Sequence, residues 1–162
     1  MALSRKFMSM FMLVSAFIAT AAQAAEPIEV FWEDLEPPGF SALPPEPVSD
    51  HQSTMAQAQP NAPVVKKYDG KLVKVPGFVV PLEGTDELTT EFLLVPFFGA
   101  CVHVPPPASN QIIHVTFEEG VAVEFSSSPI WVTGVISTDG WQGDIASVGY
   151  SMKGAEIAPY SL

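Results

Sequence analysis

The sequence has very little cysteine: Cys101 is the only one among 162 residues. One thiol cannot form an intramolecular disulfide, so the fold is not a disulfide-stabilised scaffold. An isolated thiol is expected to be buried, bound to a ligand or reactive. The residues around Cys101 therefore have to indicate which of these three roles the thiol has.

Basic residues are also scarce, with 7 lysines and arginines against 18 aspartates and glutamates. A surface of this sign repels phosphate backbones, which makes nucleic acid a poor partner. Cations and basic protein surfaces are better candidates, although an acidic surface also serves plain solubility.

Long hydrophobic runs are missing after the first 24 residues. The run at 7–22 is apolar and uncharged, follows Arg5 and Lys6, and precedes the small-x-small site Ala22-Gln23-Ala24. This is the pattern of a secretory signal, and the run is shorter than the roughly 20 residues that span a bilayer. We predict a signal peptide at 1–24, cleaved between Ala24 and Ala25, and therefore a periplasmic protein with no membrane span. After cleavage the net charge is about −13, because five lysines and all 18 acidic residues remain.

Residues 25–65 are predicted to be a proline-rich extension, because 25–63 hold eight of the 16 prolines. Proline favours extended backbone and removes hydrogen-bond donors. The segment 28–35 (Ile-Glu-Val-Phe-Trp-Glu-Asp-Leu) is too apolar for a free linker. It is expected to dock on the main domain through Trp32; the alternative is a free peptide for a partner protein.

Residues 66–162 are predicted to form the main domain, which is all-β. Alternating or continuous apolar patterns predict about five short strands, separated by Gly, Pro and Asp turns. They lie at 71–80, 91–98, 111–117, 130–136 and 148–157. The glycine inside the first strand, Gly77, predicts a bulge or sharp bend. This favours a small OB-like five-stranded barrel, with a β-sandwich as the alternative.

Several motifs resemble a known family of exported bacterial proteins of unknown function. They are 70–82 (Gly-Lys-Leu-Val-Lys-Val-Pro-Gly-Phe-Val-Val-Pro-Leu), 90–96 (Thr-Glu-Phe-Leu-Leu-Val-Pro), 99–107 (Gly-Ala-Cys-Val-His-Val-Pro-Pro-Pro), Asn110-Gln111, Trp32-Glu-Asp-Leu35, Val132-Thr-Gly134 and Gly149-Tyr150. Members are often encoded beside an ABC-type transporter and a histidine-rich periplasmic protein, in genes switched on by zinc shortage. The resemblance implies a role in envelope metal handling, with such a transporter or metal-binding protein as the partner. It implies no catalytic residues.

The Cys-x-His-x-Pro-Pro loop is the main candidate for chemistry. Residues two apart in extended backbone point to the same side, so Cys101 and His103 supply a thiolate and an imidazole for a tetrahedral zinc site. His114, His51 or a carboxylate would complete it, and we assign Cys101, His103 and His114 as candidate metal ligands.

Two other hypotheses remain open for this loop. Cys101 is a small buried hydrophobe in a metal-free interaction module, or it is the nucleophile of a thiol enzyme with His103. No phosphate loop, Ser/His/Asp order or HExxH motif occurs in the sequence. We therefore expect a non-enzymatic protein, with zinc as its one candidate cofactor.

Overall fold

A computed structural model shows a fold built almost entirely of β-strands. It describes residues 25–43, 56–85, 87–101, 104–122 and 128–160. The strands are β1 (Ile28–Glu29), β2 (Leu72–Gly84), β3 (Leu88–Val95), β4 (Ile113–Ala122), β5 (Ile130–Ser137), β6 (Trp141–Gln142), β7 (Ser147–Val148) and β8 (Tyr150–Pro159). Three 3₁₀ turns, Trp32–Leu35, Lys66–Tyr68 and Ser109–Gln111, are the helical elements of the described part. No helix there is long and apolar enough to cross a bilayer.

Five long strands close into a barrel. The sheet runs β2-β3-β4-β8-β5, and β5 pairs back onto β2. β4 and β8 run parallel, and the other neighbours in the barrel are antiparallel. Closure leaves few free strand edges, which limits unwanted strand pairing. The predicted all-β class with a small five-stranded barrel is confirmed.

Strand β2 closes the barrel by changing partners at Gly77. Residues 72–77 pair with β5, whereas 78–84 pair with β3. A Cβ on Gly77 would approach the Val95 carbonyl oxygen to 2.7 Å, which is too close for any other residue without a backbone shift. The glycine therefore marks the bend that its position inside the strand predicted.

The barrel has two hydrophobic cores, which explains why residues 92–95 of β3 are all apolar. Phe92 and Leu94 point into the barrel, whereas Leu93 and Val95 point outwards beneath the β6–β7 hairpin. We call the barrel interior the inner core and the second cluster the outer core. The outer core comprises Val80, Leu93, Val95, Ala100, Cys101, Ile112, Ala146 and Val148. A strand buried on both faces loses the polar alternation of a one-sided strand.

The N-terminal extension packs on the barrel through backbone pairing and buried side chains. β1 runs parallel to β2, and the Trp32 indole donates a hydrogen bond to the Pro76 carbonyl at 2.7 Å. Leu35 is fully buried, and the hydroxyl of Tyr150 donates to its carbonyl oxygen at 3.0 Å. The extension thus covers one side of the barrel.

Candidate functional site

The cysteine loop leaves β3 through a tight turn. Gly99 has a φ of 85°, and the Val104 amide donates a hydrogen bond to the Gly99 carbonyl at 3.3 Å. Cys101 has a φ of 64°, which is uncommon for a residue other than glycine. A side chain in this left-handed region is held there by the packing around it.

That packing is apolar, because Cys101 belongs to the outer core and is only 7% exposed. Burial raises the pKa of the Cys101 thiol from 9.0 to about 12. A buried sulfur in apolar surroundings keeps its proton, because the thiolate would lose hydration without gaining a charged partner. In the described structure the thiol is thus a packing group of the loop.

His114 lies on β4, on the outward side of the barrel, and two contacts hold its ring. Its Nε2 atom lies 2.6 Å from the Glu91 Oε1 atom. The ring stacks on Trp141, with centroids 4.4 Å apart and planes 5° from parallel. The side chain is only 8% exposed. Glu91 and Trp141 therefore fix the orientation of the imidazole.

A groove of about 550 Å³ runs beside this histidine, over the outward face of β4, β8 and β5. The exposed Val135 gives it an apolar side, while Asp139 and Lys153 bring charge to its lining. The Ser137 hydroxyl donates a hydrogen bond to the Asp139 Oδ2 atom at 3.0 Å, which holds that carboxylate in place. The volume of the groove falls within the range of small-molecule binding sites.

The turn before Cys101 carries the most exposed aromatic side chain of the described residues, Phe98, at 61%. Its ring meets Phe78 edge to face, with centroids 5.9 Å apart. The predicted strand 91–98 ends at Phe98, but β3 ends at Val95. In the sequence, Pro96 and Gly99 flank Phe97 and Phe98, and proline and glycine at these positions indicate a turn.

The structure brings two of the three predicted metal ligands to the same region without joining them. Trp141 packs against the outer core, which contains Cys101, and it also stacks on His114. Among the described residues no three His, Cys, Asp or Glu side chains form a group suited to a metal ion. His103, the alternative ligand His51 and the signal segment 1–24 lie outside the described residues. The zinc site therefore stays a prediction.

Two polar residues that sequence reasoning did not single out organise this region. Glu91 fixes His114, and an acidic residue within an apolar strand was the available signal. Gln57 joins three segments, because its amide donates to the carbonyls of Pro107 and Ser147 and accepts from the Ser147 amide. Nothing in the sequence near Gln57 marks this role, since its partners lie 50 and 90 residues away.

The turn Ser109–Gln111 fastens the extension rather than a ligand. The amide of Asn110 donates to the Pro63 carbonyl at 2.9 Å, and that of Gln111 donates to the Trp32 carbonyl at 3.0 Å. Both carbonyl partners belong to the extension, so these amides tie the turn to it.

Comparison with known proteins gives a family and a structural relative. Residues 32–159 match the family described as "Protein of unknown function (DUF3299)". The crystal structure of a DUF3299 family protein from Pseudomonas aeruginosa PAO1 is similar, with a TM-score of 0.79 and 41% sequence identity. The similarity covers 85% of this chain and 99% of that one. No curated protein matches the sequence.

Proposed function

The chain belongs to the DUF3299 family, whose function is unknown, and we propose that it is an exported, non-enzymatic protein that binds a partner in the bacterial envelope. The partner is a component of a metal-linked ABC-type transport or homeostasis system, with zinc as the metal. The barrel, OB-like in its five-stranded closed form, serves as the rigid support of the binding surface.

The observation that carries this proposal is the exposure of Phe98. An aromatic ring that is 61% exposed at a turn leaves apolar area in water, and burying such a ring against a partner is favourable. Phe78 supports the ring on one side, and Cys101, three residues later, is buried in the outer core. A pre-organised aromatic contact loses little conformational entropy on binding.

The surroundings of the candidate reactive groups support binding rather than catalysis. A thiol whose pKa is raised to about 12 by burial supplies almost no thiolate at neutral pH. His114 holds Glu91 with one ring nitrogen and has one face against Trp141. Nucleophilic catalysis requires an accessible thiolate beside a base, and these contacts do not provide one.

The location and the transport link rest on sequence features. The pattern of residues 1–24 favours export, and the family resemblance favours a transporter or a periplasmic metal-binding protein as partner. The excess of acidic residues is compatible with a basic partner surface.

Photo-crosslinking in intact cells tests the proposal. With benzoylphenylalanine in place of Phe98, we expect a discrete heavier adduct whose second component, identified by mass spectrometry, belongs to an envelope transport system. The matched control carries the same probe at Leu43, which is 57% exposed and lies in the extension. Identical adducts at both positions, or none at position 98, would contradict the proposal.

Zinc binding by the chain itself is the second candidate function. It is favoured by Cys101, which stands two residues before His103 in a loop stiffened by three prolines. Zinc would have to draw the sulfur out of apolar packing and displace its proton, and both steps lower the apparent affinity. This candidate predicts one zinc ion per chain, held by Cys101 and His103.

A further inference from the structure

The barrel wall is incomplete between β4 and β8. Their parallel pairing covers only Ile113–Thr116 against Tyr150–Lys153. Beyond Lys153, β8 continues to Pro159 and pairs with β5 on its other side alone. Among the described residues, no strand occupies this side of 154–159. The backbone groups of alternate residues there are free to pair with another strand.

On the opposite side of the gap, four residues of β4 form a bulge before the strand pairs with β3 again. Thr116 pairs with Glu91, and the next paired residue of β4 is Val121, opposite Thr89. Residues 117–120 therefore pair with neither neighbour. A cleft of about 320 Å³ results, lined by Thr116, Phe117, Glu118, Glu119, Lys153, Gly154 and Ala155.

Phe117 keeps the inner core closed at this gap without occupying the strand position. Its ring stacks on Phe92 and packs against the inner core. A Cβ on Gly154 would overlap the Phe117 ring, so glycine is required for the ring to lie there. The aromatic side chain thus seals the barrel where backbone hydrogen bonds are missing, and it gives the cleft an apolar floor.

The charges around the gap are mostly negative. Glu118, Glu119 and Glu156 are exposed there, and Lys153 is the one cationic residue of the described cleft lining. Charged residues on a free strand edge discourage self-association, because two copies of an acidic edge repel each other. The same charges attract an extended segment that carries lysine or arginine.

We propose that the edge of β8 at residues 154–159 is a strand-addition site for an extended basic segment of a partner protein. The segment pairs its backbone with β8, places an apolar side chain on Phe117, and lays basic side chains beside Glu118 and Glu119. This site is separate from the Phe98 turn, so each can fail without the other.

A synthetic peptide of nine residues that alternates lysine and valine, capped at both ends, is the probe. Titrated into the isotope-labelled exported protein, it is expected to shift the backbone amide signals of 154–158 and to slow their hydrogen exchange at least tenfold. Two matched peptides are the controls: one has glutamate for lysine, and one keeps its side chains but is N-methylated at alternate amides. Both are expected to bind at least tenfold more weakly.

A charge variant separates the acidic rim from the total charge of the protein. Glu118→Gln combined with Glu119→Gln is expected to weaken lysine-peptide binding about threefold or more at low salt. Glu26→Gln combined with Glu33→Gln removes the same charge from the extension and is expected to leave binding unchanged.

Three results would overturn the proposal. The first is equal binding of the N-methylated peptide, since side-chain attraction alone would explain it. The second is no binding of the lysine peptide, or signal changes outside the gap. The third is slow hydrogen exchange, in the free protein, of those amides of 154–158 that point into the gap, since the chain itself would then already close the gap.

Discussion

Iodoacetamide will alkylate Cys101 in the folded protein about a thousandfold more slowly than in the unfolded chain at neutral pH. Burial raises the pKa of this thiol from 9.0 to about 12, and a difference of about three pKa units lowers the thiolate fraction about a thousandfold. The check is a time course of mass increase with and without denaturing urea. A folded-state rate within tenfold of the unfolded rate would revive the thiol-enzyme hypothesis.

The same burial makes stability depend on alkaline pH. Below about pH 9 the thiol is protonated in both the folded and the unfolded chain. Between about pH 9 and 12 the unfolded chain loses the proton while the folded chain keeps it, so folding stability falls. Cys101→Ala removes this contribution, and its stability profile over that range is expected to be flatter than that of the wild type.

Tyr150→Phe is expected to lower the free energy of unfolding by about 2–4 kcal/mol. The buried hydroxyl donates to the Leu35 carbonyl at 3.0 Å and accepts from the Val65 amide at 2.6 Å. Phenylalanine fills the ring site but leaves both backbone groups without their partner. Since Leu35 and Val65 belong to the extension, the loss is expected to loosen 25–43 and 56–65 before the barrel.

Urea unfolding measures this change, and limited proteolysis locates it. Tyr160→Phe is the matched control, because Tyr160 contacts Trp131 through its ring and its hydroxyl makes no hydrogen bond within the described residues. It is expected to change stability by less than about 0.5 kcal/mol, as surface substitutions usually do. A Tyr150→Phe midpoint equal to that of the wild type would show that the extension is held by other contacts.

The barrel could be predicted from sequence because its local signals agree with its tertiary structure. The glycine in β2 marked the bend at which the strand changes partners. The apolar run at 91–98 predicted a strand, and the structure buries residues 92–95 of β3 on both faces. These features depend on residues close together in sequence, where strand periodicity and turn composition are informative.

The candidate site was less predictable, because it depends on contacts between distant segments. The pairing of His114 with Glu91 follows from the register of β4 against β3. The burial of Cys101 follows from the β6–β7 hairpin and Ile112, which complete the outer core around it. The gap beside β8 follows from a bulge in β4, at the place where the sequence pattern predicted that the strand ends (117).

Cys101 is buried in the outer core, and we propose that it anchors the loop there without binding zinc. Native mass spectrometry of the chain without residues 1–24, with one equivalent of zinc, tests this directly, alongside Cys101→Ser, His103→Ala and His114→Gln. We predict the same low zinc occupancy for all four proteins. One zinc ion per wild-type chain that disappears in the Cys101 and His103 variants would contradict this proposal and establish the loop as a zinc site.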